Sequence, residues 1–373
     1  MLLRRFTLHP TRLDRLVFGI SAALIAAIAA LTLRFEQQQH AATHVTPFTR
    51  ASDAPMIAFL SRASGVQNVY AIPAETPAIA APLTSSAADV TDSAISPDGM
   101  RVAYSVEGGR QVQVLDLESG AIAPIACPTI CHQPLWRPPG GDVLTYTQAP
   151  TADSDTTRTG RLVTLDLGNP EAQARLIFSS PLITGINPQW SANGDRIAIY
   201  DPGSESTLLF VYRSFRVIAL SAPAGLGALA PDGEQFVYSM PSETGGTTLM
   251  KIRALGGKPR EVTPFPDDAQ PAISDGYMAW RPDSAAFASA RSVDGAAAQI
   301  ALIDISTGSA VMLTNDPAYI HERFAWDPTG GWLAVQRRRA ESDQTDLWLL
   351  DVSTGTFTLL AEHAAQPQWM NFD

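Results

Sequence analysis

Lysine is nearly missing from this sequence: among 26 basic residues only Lys251 and Lys258 are lysines. Acids outnumber bases, and the formal net charge is -11. A nucleic-acid surface needs basic side chains to replace counterions, so this balance argues against one. Cysteine is also scarce. Cys127 and Cys131 are the only two, which allows at most one internal bridge. Charged residues make up only 17% of the chain while apolar residues make up 45%, a balance that supports a packed core and argues against disorder. The compact signatures of catalysis are absent as well. There is no Gly-x-Ser-x-Gly elbow, no Walker loop, no His-Glu-x-x-His and no dinucleotide-binding fingerprint. No cofactor is called for on these grounds.

One long apolar run is present. Leu16 to Leu33, "LVFGISAALIAAIAALTL", carries no charge and is about long enough to span the hydrocarbon core of a bilayer as a helix. Arg4, Arg5, Arg12 and Arg15 precede it, against the single acid Asp14. The positive-inside rule keeps such a flank in the cytoplasm and exports the chain on the far side of the run. The expectation is a cytoplasmic tail over 1–15, a transmembrane signal anchor over 16–34 and a polar linker over 35–54. A cleaved signal peptide is the competing reading, since small residues occur near Ala27 to Ala30.

From residue 55 onward the pattern changes to short alternating strands separated by Gly, Pro, Asp and Asn. The stretch "ISPDGMRVAYSV" recurs as "LWRPPGGDVLTYTQ", "QWSANGDRIAIYD", "ALAPDGEQFVYSM", "AWRPDSAAFASAR" and "AWDPTGGWLAVQR". Its anchor positions are Ile95, Trp136, Trp190, Leu229, Trp280 and Trp326. Each unit reads as four strands, A to D. Strand A ends at the anchor, and a Pro-Asp-Gly type turn leads into strand B. Strand C ends near an Asp, and a Ser/Thr-Gly turn leads into strand D, as in "IALIDISTGSAVMLT". Four antiparallel strands every 40 to 50 residues is the period of a propeller blade. "MIAFLSR" at 56–62 is a B strand with no A strand before it, and "QPQWMNFD" at the other end is an A strand with nothing after it. Joining them gives seven A strands and seven B strands. The expected fold is therefore all-β: a seven-bladed β-propeller over 55–373, closed by its C-terminal strand, behind an N-terminal transmembrane helix.

The stretches "WSANGDRIAIY", "SPDGMRVAYS" and "LGGKPREVTPF" resemble the WD-type propeller repeats of TolB, the PD40 repeat. The resemblance covers 55–373, with departures at Leu229, at "RPPGGD" and in the turns of the fourth unit. It implies a propeller that serves as a binding scaffold. Propellers of this kind also occur ahead of serine-peptidase domains, but that activity needs the missing nucleophile elbow. Asp98, Asp232 and Asp283 read as turn formers.

Three sets of side chains are candidates for function. Arg337, Arg338 and Arg339 form a basic cluster placed in a B-to-C loop, suited to an acidic peptide or anionic glycan. The acidic loop "QAPTADSDTTRTG" is expected on the same face. His132, His321 and His363 each precede an A strand and are the weak candidates for a metal site, since some propeller lyases acting on uronic-acid oligosaccharides use a His-rich metal site on that face. Cys127 and Cys131, in "ACPTICHQP", are expected to form a disulfide if the domain is exported. These candidates support two functions. The leading expectation is a membrane-anchored, extracytoplasmic, non-enzymatic module that binds an unknown protein or peptide. The alternative is a metal-dependent, lyase-like carbohydrate-active enzyme working from the histidine face.

Overall fold

The computed structural model describes residues 45–50, 54–75, 78–149, 159–220, 227–242, 245–262 and 272–372. The expected tail over 1–15, the anchor over 16–34 and most of the linker lie outside these residues, as does most of the acidic loop at 148–160. Among the described residues no helix is long and apolar enough to cross a membrane.

The described chain forms seven four-stranded antiparallel sheets. The first blade is made from both ends of the propeller. Its strands B, C and D are Met56–Ser61, Asn68–Pro73 and Ala81–Pro82, and its strand A is Ala364–Met370. Met56 pairs with Met370 and Ile57 with Trp369. The remaining six blades succeed it in chain order with strands A at Val90–Ile95, Cys131–Trp136, Ile186–Trp190, Gly227–Leu229, Ile273–Trp280 and Tyr319–Trp326. Each sheet ends in an inner A strand and an outer D strand, and several D strands are two or three residues long, which limits pairing with other chains.

The core lies between the blades. Strand B is the most deeply buried element of a blade; all six residues of Met56–Ser61 are buried. Strand D is the least buried, as at Ala310–Met312. The tight turns are built as the sequence indicates. In the A-to-B turns, Asp98 Oδ1 accepts the Met100 N–H at 3.0 Å, Asp232 the Glu234 N–H at 2.8 Å and Asp283 the Ala285 N–H at 3.0 Å. In the C-to-D turns, Asp304 accepts from the backbone and hydroxyl groups of Ser306 and Thr307. The Ser306 and Thr307 bonds hold its carboxyl low, at about 2.

Neighbouring blades are tied by a repeated hydrogen bond between their A strands. An anchor Trp donates Nε1–H to the carbonyl just before the anchor of the preceding blade. Trp136 reaches Ala94 at 3.1 Å, Trp280 reaches Ala228 at 3.0 Å, Trp326 reaches Ala279 at 2.9 Å and Trp369 reaches Ala325 at 2.9 Å. Trp190 instead donates to Thr145 Oγ1 at 3.3 Å. Ile95 and Leu229 have no indole, and at those two junctions the preceding blade supplies the bond. Gln368 donates to Ser93 O at 2.7 Å and accepts from Ile95 N–H at 3.2 Å. Gln189 donates to Gly227 O at 2.8 Å and accepts from Leu229 N–H at 2.9 Å. All seven junctions thus carry a tie from an A-strand side chain, five through an indole and two through a carboxamide; six join two A strands, and Trp190 reaches strand B of blade 3.

Candidate functional site: the central cavity

The seven A strands enclose a cavity of about 790 Å³. Its shape derives from a local irregularity in those strands. The A–B ladder shifts register between Ala365 and Gln368, between Val90 and Asp92, between His132 and Leu135, between Ile186 and Gln189, between Asp275 and Met278 and between His321 and Arg323. Such bulges re-aim side chains and are enriched beside functional sites. In three blades the bulge uses one sequence, an amide residue followed by proline, one further residue and the anchor Trp: "QPLW", "NPQW" and "QPQW". The amide residues Gln133, Asn187 and Gln366 all hold left-handed backbone, with φ of 49°, 53° and 54°. That conformation is uncommon for a side chain with a Cβ. All three residues line the cavity, together with their prolines.

The other lining differs by blade. Blade 6 contributes Tyr277 and blade 7 contributes Arg323, whose guanidinium stands 5.9 Å from the Tyr277 ring centroid. Arg323 is exposed and makes no ion pair among the described residues. Blade 2 contributes Asp92, whose Oδ2 accepts from the Thr91 and Ser105 hydroxyls at 3.1 and 3.2 Å. Blade 5 contributes Gly227, Ala228, Leu229 and Pro231, none of them charged. The lining therefore holds one acid and one base among uncharged groups. The Gly276–Tyr277 bulge is held from behind by a buried ion pair. Asp275 takes Arg291 Nε at 2.9 Å and Nη2 at 3.0 Å, and its Oδ1 also accepts from Ser289 at 2.7 Å. A bidentate pair with the remaining lone pairs engaged is the arrangement in which buried charge is tolerated.

The residues singled out from sequence are placed differently. Arg337, Arg338 and Arg339 are the end of strand B in blade 7, Trp332–Arg339, and not a loop. Arg337 is only 3% exposed. Its guanidinium lies 3.6 Å from the ring centroid of Tyr319, 4.3 Å from Phe357 and 4.6 Å from Trp348, and it bonds Asp316 at 3.1 Å. A planar cation stacked on aromatic faces is a packing group with a charge, so Arg337 cannot meet a partner. Arg338 donates to Glu322 at 2.6 Å and to Ser342 O at 3.1 Å. Only Arg339 is exposed. The basic cluster is thus corrected to a single surface arginine.

Of the three histidines only His363 lies in a connection, between Ala361 and Ala364. His132 and His321 lie within A strands and are buried, at 5% and 1% exposure. The Ala298 carbonyl accepts from His321 Nδ1 and from its backbone N–H, both at 3.0 Å. Burial is the main cause that lowers the His321 pKa from 6.5 to about 4; the Ala298 bond opposes it and the Arg337 charge reinforces it. His363 is exposed, and its backbone N–H donates to Asp346 at 3.1 Å. Among the described residues no group of three or more His, Cys, Asp and Glu side chains is arranged to hold a metal ion, so the three histidines do not converge. They lie in different blades, and strand packing fixes two of them. Cys127 and Cys131 are joined as a disulfide across a Cα separation of 6.4 Å.

The amide-Pro-x-Trp signature was the signal that sequence reading passed over. It is visible as a carboxamide three residues before Trp136, Trp190 and Trp369. Alignment on the anchor Trp alone hides it, because the other blades fill the station with Asp, Leu, Tyr or Arg.

No protein-family model matches the sequence, and no curated protein does. Solved structures match in fold. TolB from Acinetobacter baumannii is 15% identical over 85% of this chain and 67% of its own, with a TM-score of 0.50. An oligogalacturonate lyase from Vibrio parahaemolyticus is 12% identical over 83% of this chain and 85% of its own, at 0.59. A periplasmic gluconolactonase from Pseudomonas aeruginosa is 12% identical over 86% and 99%, at 0.54. At these identities the likeness is one of fold, and propellers host both binding and catalysis.

Proposed function

We propose that this chain is a non-enzymatic binding module, an extracytoplasmic propeller tethered by its N-terminal segment, and that it receives a protein or peptide at the central cavity. One observation carries the reading. Three blades place a carboxamide residue at the same A-strand station, by the same left-handed bulge, in the lining of one cavity. A carboxamide both donates and accepts, which matches the peptide group and not a reacting centre. Repeating that group around a ring gives recognition without chemistry. The similarity of the fold to TolB agrees with this reading, as does a Cys127–Cys131 disulfide suited to an oxidising compartment. The basic flank and apolar run at the N-terminus supply the tether.

The rival reading, a metal-dependent lyase-like enzyme, asks for convergent histidines, and the positions of His132, His321 and His363 do not favour it. The test uses the purified full chain as bait on membrane and envelope extracts, beside a Gln133→Ala, Gln366→Ala variant. A partner captured by the wild type and lost with the variant, at unchanged thermal stability, supports the cavity as the site. Equal capture by both proteins refutes it. Stoichiometric metal that His363→Ala removes would transfer support to the enzyme.

A further inference from the structure

The lining of the cavity is not uniform around the ring, and the asymmetry specifies an end of a ligand. Gln366, Gln133 and Asn187 come from blades 1, 3 and 4. Arg323 and Tyr277 come from blades 7 and 6. One arc therefore offers carboxamides that both donate and accept, with the acid Asp92 of blade 2 among them. The other offers a single guanidinium over a phenol ring. Among the described residues no acid forms an ion pair with Arg323, and Glu322 beside it is engaged by Arg338 and by Gln336 at 2.8 Å. A desolvating ligand has to bring the counter-charge, and a guanidinium takes a carboxylate through two parallel hydrogen bonds.

We propose, resting on the peptide-binding reading above, that the cavity takes the free C-terminal end of a peptide, its α-carboxylate on Arg323 and its last peptide groups against the carboxamides of Gln133, Asn187 and Gln366. The number of charges selects this ligand among anions. A polyuronate carries a carboxylate on every sugar and needs a matching row of cations. Among the described residues this cavity has one cation and one acid, Asp92, and the chain around it has a net charge of -11. A neutral glycan leaves Arg323 uncompensated. A peptide terminus brings one negative charge, followed by neutral amides that pair with carboxamides in both directions. Gln133 agrees with this assignment: its Oε1 is buried and accepts no hydrogen bond, a cost that a ligand N–H relieves once the amide turns towards it. A cavity of about 790 Å³ lies within the usual range for sites that enclose a small ligand or a chain end.

The test is a random hexapeptide library synthesised in two forms, free acid and C-terminal amide, offered to the purified full chain. Free acids should be retained roughly tenfold or more over amides, the ratio expected for a hydrogen-bonded carboxylate–guanidinium contact. Arg323→Gln should bring the two forms to equal retention, and Arg323→Lys should keep part of the preference as a point charge. Both substitutions are at an exposed position, and unchanged thermal unfolding would show that the ring is intact. If wild type retains acids and amides equally, peptide binding stands and the carboxylate assignment falls. If neither form is retained, both fall. Retention of oligogalacturonate in preference to either library form overturns the assignment in favour of an anionic glycan.

Discussion

Replacing Gln189 with Leu should loosen the junction between blades 4 and 5, and the structure sets the size of the effect. Leu229 stands where most blades have Trp, so no indole reaches back from blade 5. The Gln189 carboxamide supplies both hydrogen bonds instead, to Gly227 O at 2.8 Å and from Leu229 N–H at 2.9 Å. Leucine keeps most of the volume and removes both partners. Each lost bond costs about 1 kcal/mol, and Leu229 is buried, so its stranded N–H adds to the loss. The total should be roughly 2–3 kcal/mol. Gln189→Glu separates the two bonds: it keeps an acceptor for Leu229 N–H and sets a carboxylate against the Gly227 carbonyl. It should be at least as damaging as Gln189→Leu at neutral pH and should partly recover in acid. Gln368→Leu repeats the experiment at the junction with Ile95. Leu135 occupies the same station in blade 3, where Trp190 ties the next blade, and Leu135→Ala should cost only the packing of a half-buried side chain. Equilibrium denaturation of the four variants gives the comparison. Gln189→Leu within 0.5 kcal/mol of wild type, the ordinary range for a surface change, would refute the idea that carboxamides replace missing indoles.

Blade 7 supplies two further outcomes. Because the folded His321 titrates near 4 and the unfolded one near 6.5, the unfolded chain binds the extra proton between those values. Stability from this site should be complete above pH 6.5, decline as pH falls and level off near pH 4, by roughly 3 kcal/mol in all; an identical pH profile in His321→Asn would contradict this. Arg337→Ala should cost about 2–4 kcal/mol through the lost aromatic stacking and the cavity left behind, whereas Arg339→Ala should change thermal unfolding little. Equal effects of the two substitutions would show that the stacked guanidinium contributes nothing.

The fold was legible because its signal is repeated and local. The anchors, the Pro-Asp-Gly turns and the Asp-x-x-x-Gly turns each recur within a few residues, and the unpaired strands at Met56 and Trp369 meet in one sheet. Leu229 looked like a departure from the repeat, but Gln189 compensates for it 40 residues earlier in the chain, out of reach of local pattern. The same distance explains the arginine cluster. Nothing in "RRR" reveals that Tyr319 on strand A and Phe357 on strand D, each about 20 residues away, enclose the first of the three. His132 and His321 were placed in connections because strand A begins earlier than its alternation suggests; a bulge residue breaks the period of two and hides the strand's first half. The carboxamide ring was present in the sequence, but its meaning depends on three residues more than 50 positions apart sharing one cavity.

The central claim is that this cavity, and not an outer blade edge, meets the partner. The most direct measurement places a photo-crosslinking phenylalanine analogue at Tyr277 in one protein and at Phe215 in another, each expressed as the full chain in its own cells. Phe215 is 76% exposed on the outer edge of blade 4, and Tyr277 lines the cavity. Illumination should join the partner to the Tyr277 position, and a Gln133→Ala, Gln366→Ala background should abolish that product. A crosslink formed only from Phe215 and unaffected by the double substitution would contradict the account.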